Sequence, residues 1–410
     1  MKKILIIHSD MELGGAETSL LGLLYSLDYS RVSVDLFLYQ QGGELLPMLP
    51  PQVHLLPEDP RYKALVSPIA EAIRKGHLCI ATARVWAKVV TRIRNRRSHF
   101  TDYGYVLKSR AHAYATRFLP SLQGTYDLAI SFNDPHWILA RKTDAPEKLG
   151  WFHTDFSKIT PDESMEERSW AGCTRIVTVS EACKDAFDRG HPTLRDRSIV
   201  IENILAKPFI EKQVAAFSPE EEMPEDGCIR LLSVGRFCEA KNFDNVPDIT
   251  KRLLAMGLDV KWYLIGYGGD EALIRQKIAE AGMEGRVIIL GKKENPYPYI
   301  AACDLYVQPS RYEGKCVTVR EAQLLEKPVV IARYQTSACQ LQDGVDGAIV
   351  PQDNQGCAEG IAALLRDPEK MQQLSRTCAT MDHTNAAEVE KIYRLIGYTE
   401  RNDIADGMKK

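Results

Sequence analysis

The strongest constraint on the fold of this sequence is a repeated alternation of short, largely apolar runs with longer segments of helical periodicity. In the first half the runs are Ile4 to His8, Val32 to Tyr39, Asp127 to Phe132, Leu149 to His153, Arg175 to Ser180 and Ser198 to Ile204. Runs that are apolar on both faces, rather than on alternate residues, read as parallel strands covered by helices. Between the last two, Ser180 stands where a helix N-cap would, with Glu181 in the first turn. The β-α-β order predicts a doubly wound sheet.

An acidic, proline-containing stretch from Ser218 to Gly227 then breaks the pattern, and the interdomain connection is expected just before and through it. Beyond it the alternation restarts. Strands are expected at Ile229 to Val234, Val260 to Ile265, Val287 to Leu290, Leu305 to Gln308 and Val329 to Ala332, with helices from about Asn242 to Met256, Asp270 to Ala281 and Val317 to Leu325. The region from about 354 to 398 reads as helical throughout, and its last piece, Ala386 to Ile396, is expected to cross back onto the first domain. With 410 residues, 45% of them hydrophobic, the chain can build two cores. The expected class is α/β: two doubly wound, Rossmann-like domains, residues 1–205 with a returning helix at about 384–410, and residues 206–383.

Charge and cysteine usage exclude several classes. Lys and Arg total 52 against 55 Asp and Glu, so no global field draws in nucleic acid. The ten cysteines form no C-x-x-C pair and no zinc-spaced cluster, and read as reduced core thiols. The opening apolar run breaks after four residues, unlike a signal peptide, and no run approaches the roughly 20 apolar residues that span a bilayer. The expected location is therefore cytoplasmic.

In open parallel sheets, ligands bind beyond the carboxyl ends of the strands. The segments that follow the expected second-half strands are Gly235 to Asn242, Gly266 to Asp270, Gly291 to Glu294 and Pro309 to Cys316. They offer cations for phosphate and carboxylates for hydroxyls. Arg236 and Lys241, ahead of a helix whose N-terminal amides would assist them, suit a diphosphate; two solvated surface cations fit the same residues equally well. Glu313 and Glu321, eight apart, could grip different parts of an elongated ligand, or serve as a capping and a solvated helix residue. In the first half, Gly14-Gly15-Ala16-Glu17 follows the first strand and opens a helix. His153 ends another strand, where a structural hydrogen-bonding role competes with a functional one, and His8 competes for the same place. No G-x-G-x-x-G, P-loop or D-x-D motif occurs, which weakens dehydrogenase and P-loop readings and leaves no usual carboxylate pair for a metal-held diphosphate.

Gly235-Arg236 with Lys241-Asn242, the Gly266 to Gly269 loop, and Glu313-Gly314 with Glu321-Ala322 before Lys327-Pro328-Val329-Val330 together resemble glycosyltransferase family 4, of GT-B fold. Gly14 to Glu17 and Val179-Ser180-Glu181 are similar to that family's amino-domain segments. The resemblance implies two domains facing across a cleft, an acceptor-side amino-terminal domain and a donor-binding second domain. It implies retaining transfer from a UDP- or GDP-sugar co-substrate, with no other cofactor and no essential metal. By the same resemblance Arg236 and Lys241 would neutralise the leaving diphosphate, Glu321 would bind ribose hydroxyls, and Glu313 would contact the donor sugar. The amide of Gly15 would approach the phosphates, Gly266 would line the donor loop, and backbone near Lys292 would meet the base. His153 would lie near the donor sugar. Cys316, Val317 and Thr318 stand where many relatives have F-G-L-P, in the segment that lines the sugar pocket.

On the acceptor side, residues 83–97 carry six cations and no acid, with apolar residues interleaved. Such a stretch suits an anionic membrane surface or a solvated helix at the domain rim. The first reading implies a glycan or lipid-linked acceptor at the inner face of the membrane, in cell-surface polysaccharide synthesis. The competing classes are a nucleotide-sugar epimerase or synthase with a soluble acceptor, and a non-catalytic two-domain ligand binder.

Overall fold

The computed structural model describes residues 1–98, 100, 103–133, 135–153, 162–313 and 315–398. The chain divides into two compact units, Met1–Ile204 together with the segment from Ala386, and Leu205–Asn385.

In the first unit the strands β1 (Lys2–His8), β2 (Val32–Leu38), β3 (His54–Leu55), β4 (Leu128–Ser131), β5 (Glu147–Phe152), β6 (Arg175–Thr178) and β7 (Ser198–Val200) form one parallel sheet of order β3-β2-β1-β4-β5-β6-β7. In the second, β8 (Ile229–Val234), β9 (Val260–Ile265), β10 (Val287–Gly291), β11 (Leu305–Gln308), β12 (Val329–Ala332) and β13 (Ala348–Val350) form another, ordered β10-β9-β8-β11-β12-β13. Both are doubly wound: the order reverses between β1 and β4 in one sheet and between β8 and β11 in the other. Strand cores such as Ile4 to Ile7 and Leu231 to Leu232 are at most 1% exposed, which is why the runs carry no alternation.

Local chemistry explains some boundaries and returning contacts. The Ser180 hydroxyl accepts from the Cys183 amide at 3.2 Å and caps the helix Glu181–Gly190. The segment from Ala386 packs on the first unit: the Arg31 guanidinium lies 4.1 Å and 4.7 Å from the Tyr393 and Tyr398 rings, and Lys391 donates to the Val200 carbonyl at 2.9 Å.

Four expectations need correction. The acidic stretch 218–227 is part of the second unit, because its Met223 is fully buried and its Glu222 accepts both from Lys293 and from the Tyr299 hydroxyl. The helix expected from Asn242 begins only at Val246: Asn242 sits in the left-handed region at φ 60°, between two short 3-10 turns. Lys241 therefore has no α-helix N-terminus directly behind it. The region after 354 is broken as well, into helices Asn354–Leu365, Pro368–Thr380 and Val389–Leu395, with Asp367 capping the second and Pro368 opening it. Finally, β3, β13 and the helix Tyr297–Ala302 were not expected. No helix among the described residues is long and apolar enough to cross a membrane.

Candidate functional site

The crossover point of a doubly wound sheet leaves a crevice, because the segments following its two central strands diverge to opposite faces. In the second unit those segments follow β8 and β11, and they bring together residues far apart in sequence. Lys241 Nζ lies 2.5 Å from Glu313 Oε1 and 3.8 Å from Cys316 Sγ. The Ser310 hydroxyl donates to the same Glu313 oxygen at 2.6 Å. Both members of the ion pair are largely buried, with 17% and 12% of their side chains exposed. Burial pushes the Lys241 ammonium down, but the Cys316 and Glu313 side chains beside it outweigh that and hold it above its ordinary value.

Two further ties fix this crevice. Buried Asn242 donates to the Pro309 carbonyl at 2.9 Å. Arg311 forks onto Asp244 at 2.9 Å and 2.7 Å and donates to the Glu239 carbonyl at 2.7 Å. Arg311 is thus committed to joining the two loops, and Lys293 to Glu222, so neither is a cation held for a ligand. Arg236, by contrast, is exposed and makes no hydrogen bond or ion pair with any described residue. Gly266 has φ +152°, and a Cβ there would meet the Gly235 carbonyl oxygen at 1.9 Å. Only glycine lets the β8 and β9 loops approach so closely. Lys292, just past β10, is exposed and lies 5.4 Å from the Tyr267 ring centroid.

The segment entering the helix Val317–Leu324 is held from both sides by one amide. Gln340 Oε1 accepts from the Cys316 N–H at 2.7 Å, and its Nε2 donates to the Cys316 carbonyl at 3.1 Å. Thr318 accepts from the Tyr306 hydroxyl at 2.7 Å, while Val317 is partly exposed. One turn further on, Glu321 is 3% exposed and takes a 2.9 Å hydrogen bond from the Tyr297 hydroxyl. Burial pushes its carboxyl up to about 7, against the lowering effect of that bond. Glu313 and Glu321 therefore occupy different environments, one charge-paired and one desolvated.

In the first unit the crossover lies between β1 and β4, with β5 beside β4. His8 ends β1 and is 2% exposed; its Nε2 meets Glu17 Oε1 at 2.8 Å. Burial pushes the Glu17 carboxyl up, but the hydrogen bond and charge of His8, with a smaller contribution from His153, hold it below its ordinary value. His153 follows β5, is partly exposed, and donates from Nε2 to the Phe132 carbonyl at 2.9 Å. A carbonyl can only accept, so in the neutral ring Nδ1 is the acceptor. Of the two competing histidines, His8 is walled in and His153 is the accessible one. Gly15 opens the helix Gly15–Ser26, and no described atom outside its own chain neighbourhood lies within 4 Å of where its side chain would start. Thr154, Asp155 and Gly314 lie outside the described residues.

Sequence reasoning missed Gln340, Tyr297, Ser310 and the His8–Glu17 pair. Glu17 carried a local signal, lying one turn into a helix that opens at a strand's carboxyl end. Gln340 carried none, since its partner Cys316 is 24 residues away.

Residues 217–380 match the family model described as glycosyl transferases group 1. The crystal structure of Anabaena HepE in complex with UDP and glucose superimposes with a TM-score of 0.64 at 17% identity, covering 96% of this chain and 99% of that one. The chain has the GT-B fold of that structure. Within this GT-B chain the family match contains Arg236, Lys241, Gly266, Lys292, Glu313, Cys316, Val317, Thr318 and Glu321, whereas Gly15 and His153 lie before it. Among curated relatives of the GT-B chain, the lipopolysaccharide core biosynthesis glycosyltransferase LpsE of Rhizobium meliloti is 28% identical over 155 residues, 38% of this chain and 44% of that protein. A Campylobacter jejuni N-acetylgalactosamine-N,N'-diacetylbacillosaminyl-diphospho-undecaprenol 4-alpha-N-acetylgalactosaminyltransferase is 30% identical over 139 residues, 33% of this chain and 37% of that protein. The matches thus span less than half the length of these curated relatives.

Proposed function

We propose that this GT-B chain transfers a sugar from a UDP- or GDP-sugar to a glycan or lipid-linked acceptor, with retention of anomeric configuration, in the synthesis of a cell-surface polysaccharide at the cytoplasmic face of the membrane. The observation that carries the reading is the Lys241–Glu313 pair at the β8/β11 crossover, with Arg236 exposed in the same loop as Lys241. A buried ammonium held charged, joined by an exposed guanidinium, suits the diphosphate of a nucleotide sugar.

Within this proposal Arg236 and Lys241 take the charge of the leaving diphosphate, without an essential metal. Glu313 fixes Lys241 and meets the donor sugar. Glu321 accepts from ribose hydroxyls, the Gly15 amide meets phosphate oxygens, and backbone at Gly266 and Lys292 borders the nucleotide. Cys316, Val317 and Thr318 line the sugar pocket. His153 supports developing charge on the sugar. Support comes from the UDP complex of the HepE structure and from the diphospho-undecaprenol acceptor in the Campylobacter relative's name.

The test is a screen of UDP- and GDP-sugars by thermal shift, followed by NMR of the product formed with a diphospho-polyprenol acceptor. Transfer with the donor's anomeric configuration retained is expected. An inverted product, or no stabilisation by any nucleotide sugar, contradicts the proposal.

A further inference from the structure

The helix Leu78–Ser98 turns an apolar face outward. Its inward residues Ile80, Ala81, Ala83, Ala87 and Thr91 are all at most 5% exposed. On the opposite side Leu78 is 59% exposed, Val85 46%, Trp86 59%, Val89 41% and Ile93 56%. At 3.6 residues per turn these five fall within an arc of roughly 100°, and they run about 22 Å along the axis. A solvated helix shows water its polar side. This one shows water an aliphatic and indole stripe, interrupted by Thr82, whose hydroxyl is turned onto the Leu78 carbonyl at 2.8 Å.

The charges around the stripe are of one sign. From Ala72 to Ser98 the sequence holds no Asp or Glu, and eight Lys or Arg. Three of these are used internally: Lys75 pairs with Glu71 at 2.6 Å, Arg84 donates to the Ala64 and Ser67 carbonyls at 2.8 Å and 2.6 Å, and Arg94 pairs with Asp162 at 2.7 Å. Lys88, Arg92 and Arg96 are exposed and form no ion pair among the described residues. Lys88 and Arg92 border the apolar arc along one edge, and Arg96 extends the face beyond Ile93. An apolar centre with a cationic border matches the boundary between acyl chains and anionic headgroups, with Trp86 suited to that depth. A second copy of the same face would set these cations against one another.

We propose that the outward face of Leu78–Ser98 docks on an anionic lipid bilayer, burying Leu78, Val85, Trp86, Val89 and Ile93 while Lys88, Arg92 and Arg96 meet the headgroups. The inference deepens the lipid-linked acceptor reading and rests on it for the side of the membrane concerned.

The test is vesicle sedimentation of the full chain, with no donor or acceptor present. Vesicles of phosphatidylglycerol and phosphatidylcholine should pull the protein down at low salt, and pure phosphatidylcholine vesicles should do so far less. The exposed-site variants Trp86→Ser/Ile93→Ser and Lys88→Glu/Arg92→Glu should each bind roughly tenfold more weakly or worse, with unchanged thermal unfolding. No sedimentation of wild type with anionic vesicles, or equal sedimentation of wild type and both variants, overturns the proposal. So does preferential binding to duplex DNA or to an acidic polypeptide over the vesicles. Transfer to a soluble acceptor should persist in both variants, so loss of docking and failure of the transfer reading remain distinguishable.

Discussion

At the carboxyl end of the first sheet the His8 imidazole meets the Glu17 carboxylate, and the His153 imidazole packs against the Phe132 and Trp151 rings. At the carboxyl end of the second the side chains that meet are an ammonium, a carboxylate and a thiol, with a guanidinium in the same loop. Both groups sit where their sheet reverses order, so the topology is shared and the chemistry is not. The second site is an array of permanent charges braced by Asn242 and Arg311, suited to holding a polyanion. The first has one accessible imidazole, its Nε2 anchored on a carbonyl, suited to polarising a neutral group. A common fold thus fixes where a site forms, and side-chain chemistry decides what it holds.

The largest effect that would sharpen this contrast is on turnover. His153→Ala and Glu313→Gln are each expected to lower kcat by about 100-fold or more in steady-state kinetics, and His153→Ala should leave donor affinity unchanged. A normal kcat in either variant removes that residue from the reaction.

A second expectation concerns coupling inside the second site. In diphosphate binding, Lys241→Ala and Glu313→Gln should be non-additive by about 1 to 3 kcal/mol, because the two side chains touch. Arg236→Ala with Glu313→Gln should be additive to within about 0.5 kcal/mol. Additivity in the first pair would mean that the contact has no bearing on the ligand.

A pH-dependent effect is expected at Glu321, smaller than the preceding ones in its kinetic readout. Its carboxyl is raised from 4.5 to about 7 in the folded chain, so the native state binds the extra proton. The associated stability is fully present below about pH 4.5 and is lost as pH rises through about 7, by on the order of 3 kcal/mol. Denaturant unfolding at several pH values should show this loss in wild type and its absence in Glu321→Gln. Ribose hydroxyls donate to a carboxylate, so donor KM should also fall several-fold as pH rises through 7. Glu321→Ala should raise KM and flatten that dependence; a parallel profile in the variant would contradict the assignment.

The smallest expected change is none. Transfer in excess EDTA should equal transfer in its absence if Arg236 and Lys241 take the diphosphate charge as proposed. Complete loss, restored by magnesium or manganese, breaks that account.

Much of the fold was legible in the sequence because buried parallel strands leave unmixed apolar runs. Strands β8, β9, β11 and β12 coincide with their runs to the residue. Strands β3 and β13, two and three residues long, are too short to leave one. The stretch 218–227 read as a linker because the Glu222 contacts that anchor it are made with partners 71 and 77 residues away. The break at Pro368 carried a local signal, Asp367 as a cap and Pro368 at N1, but helical composition on both sides masked it. Within the site the residue types were legible and their pairing was not. Nothing local to Lys241 announces Glu313, 72 positions later, and nothing local to Glu321 announces Tyr297 beneath it.

The claim on which the rest depends is that the β8/β11 crossover holds a nucleoside diphosphate, and calorimetric titration tests it directly. UDP and GDP would be titrated into wild type, Arg236→Ala and Lys241→Ala. One of the two nucleotides is expected to bind wild type at a single site, and each variant to bind it about tenfold more weakly or worse, for the loss of a charge-assisted contact of roughly 1.5 to 3 kcal/mol. Equal affinity in wild type and both variants would contradict the account.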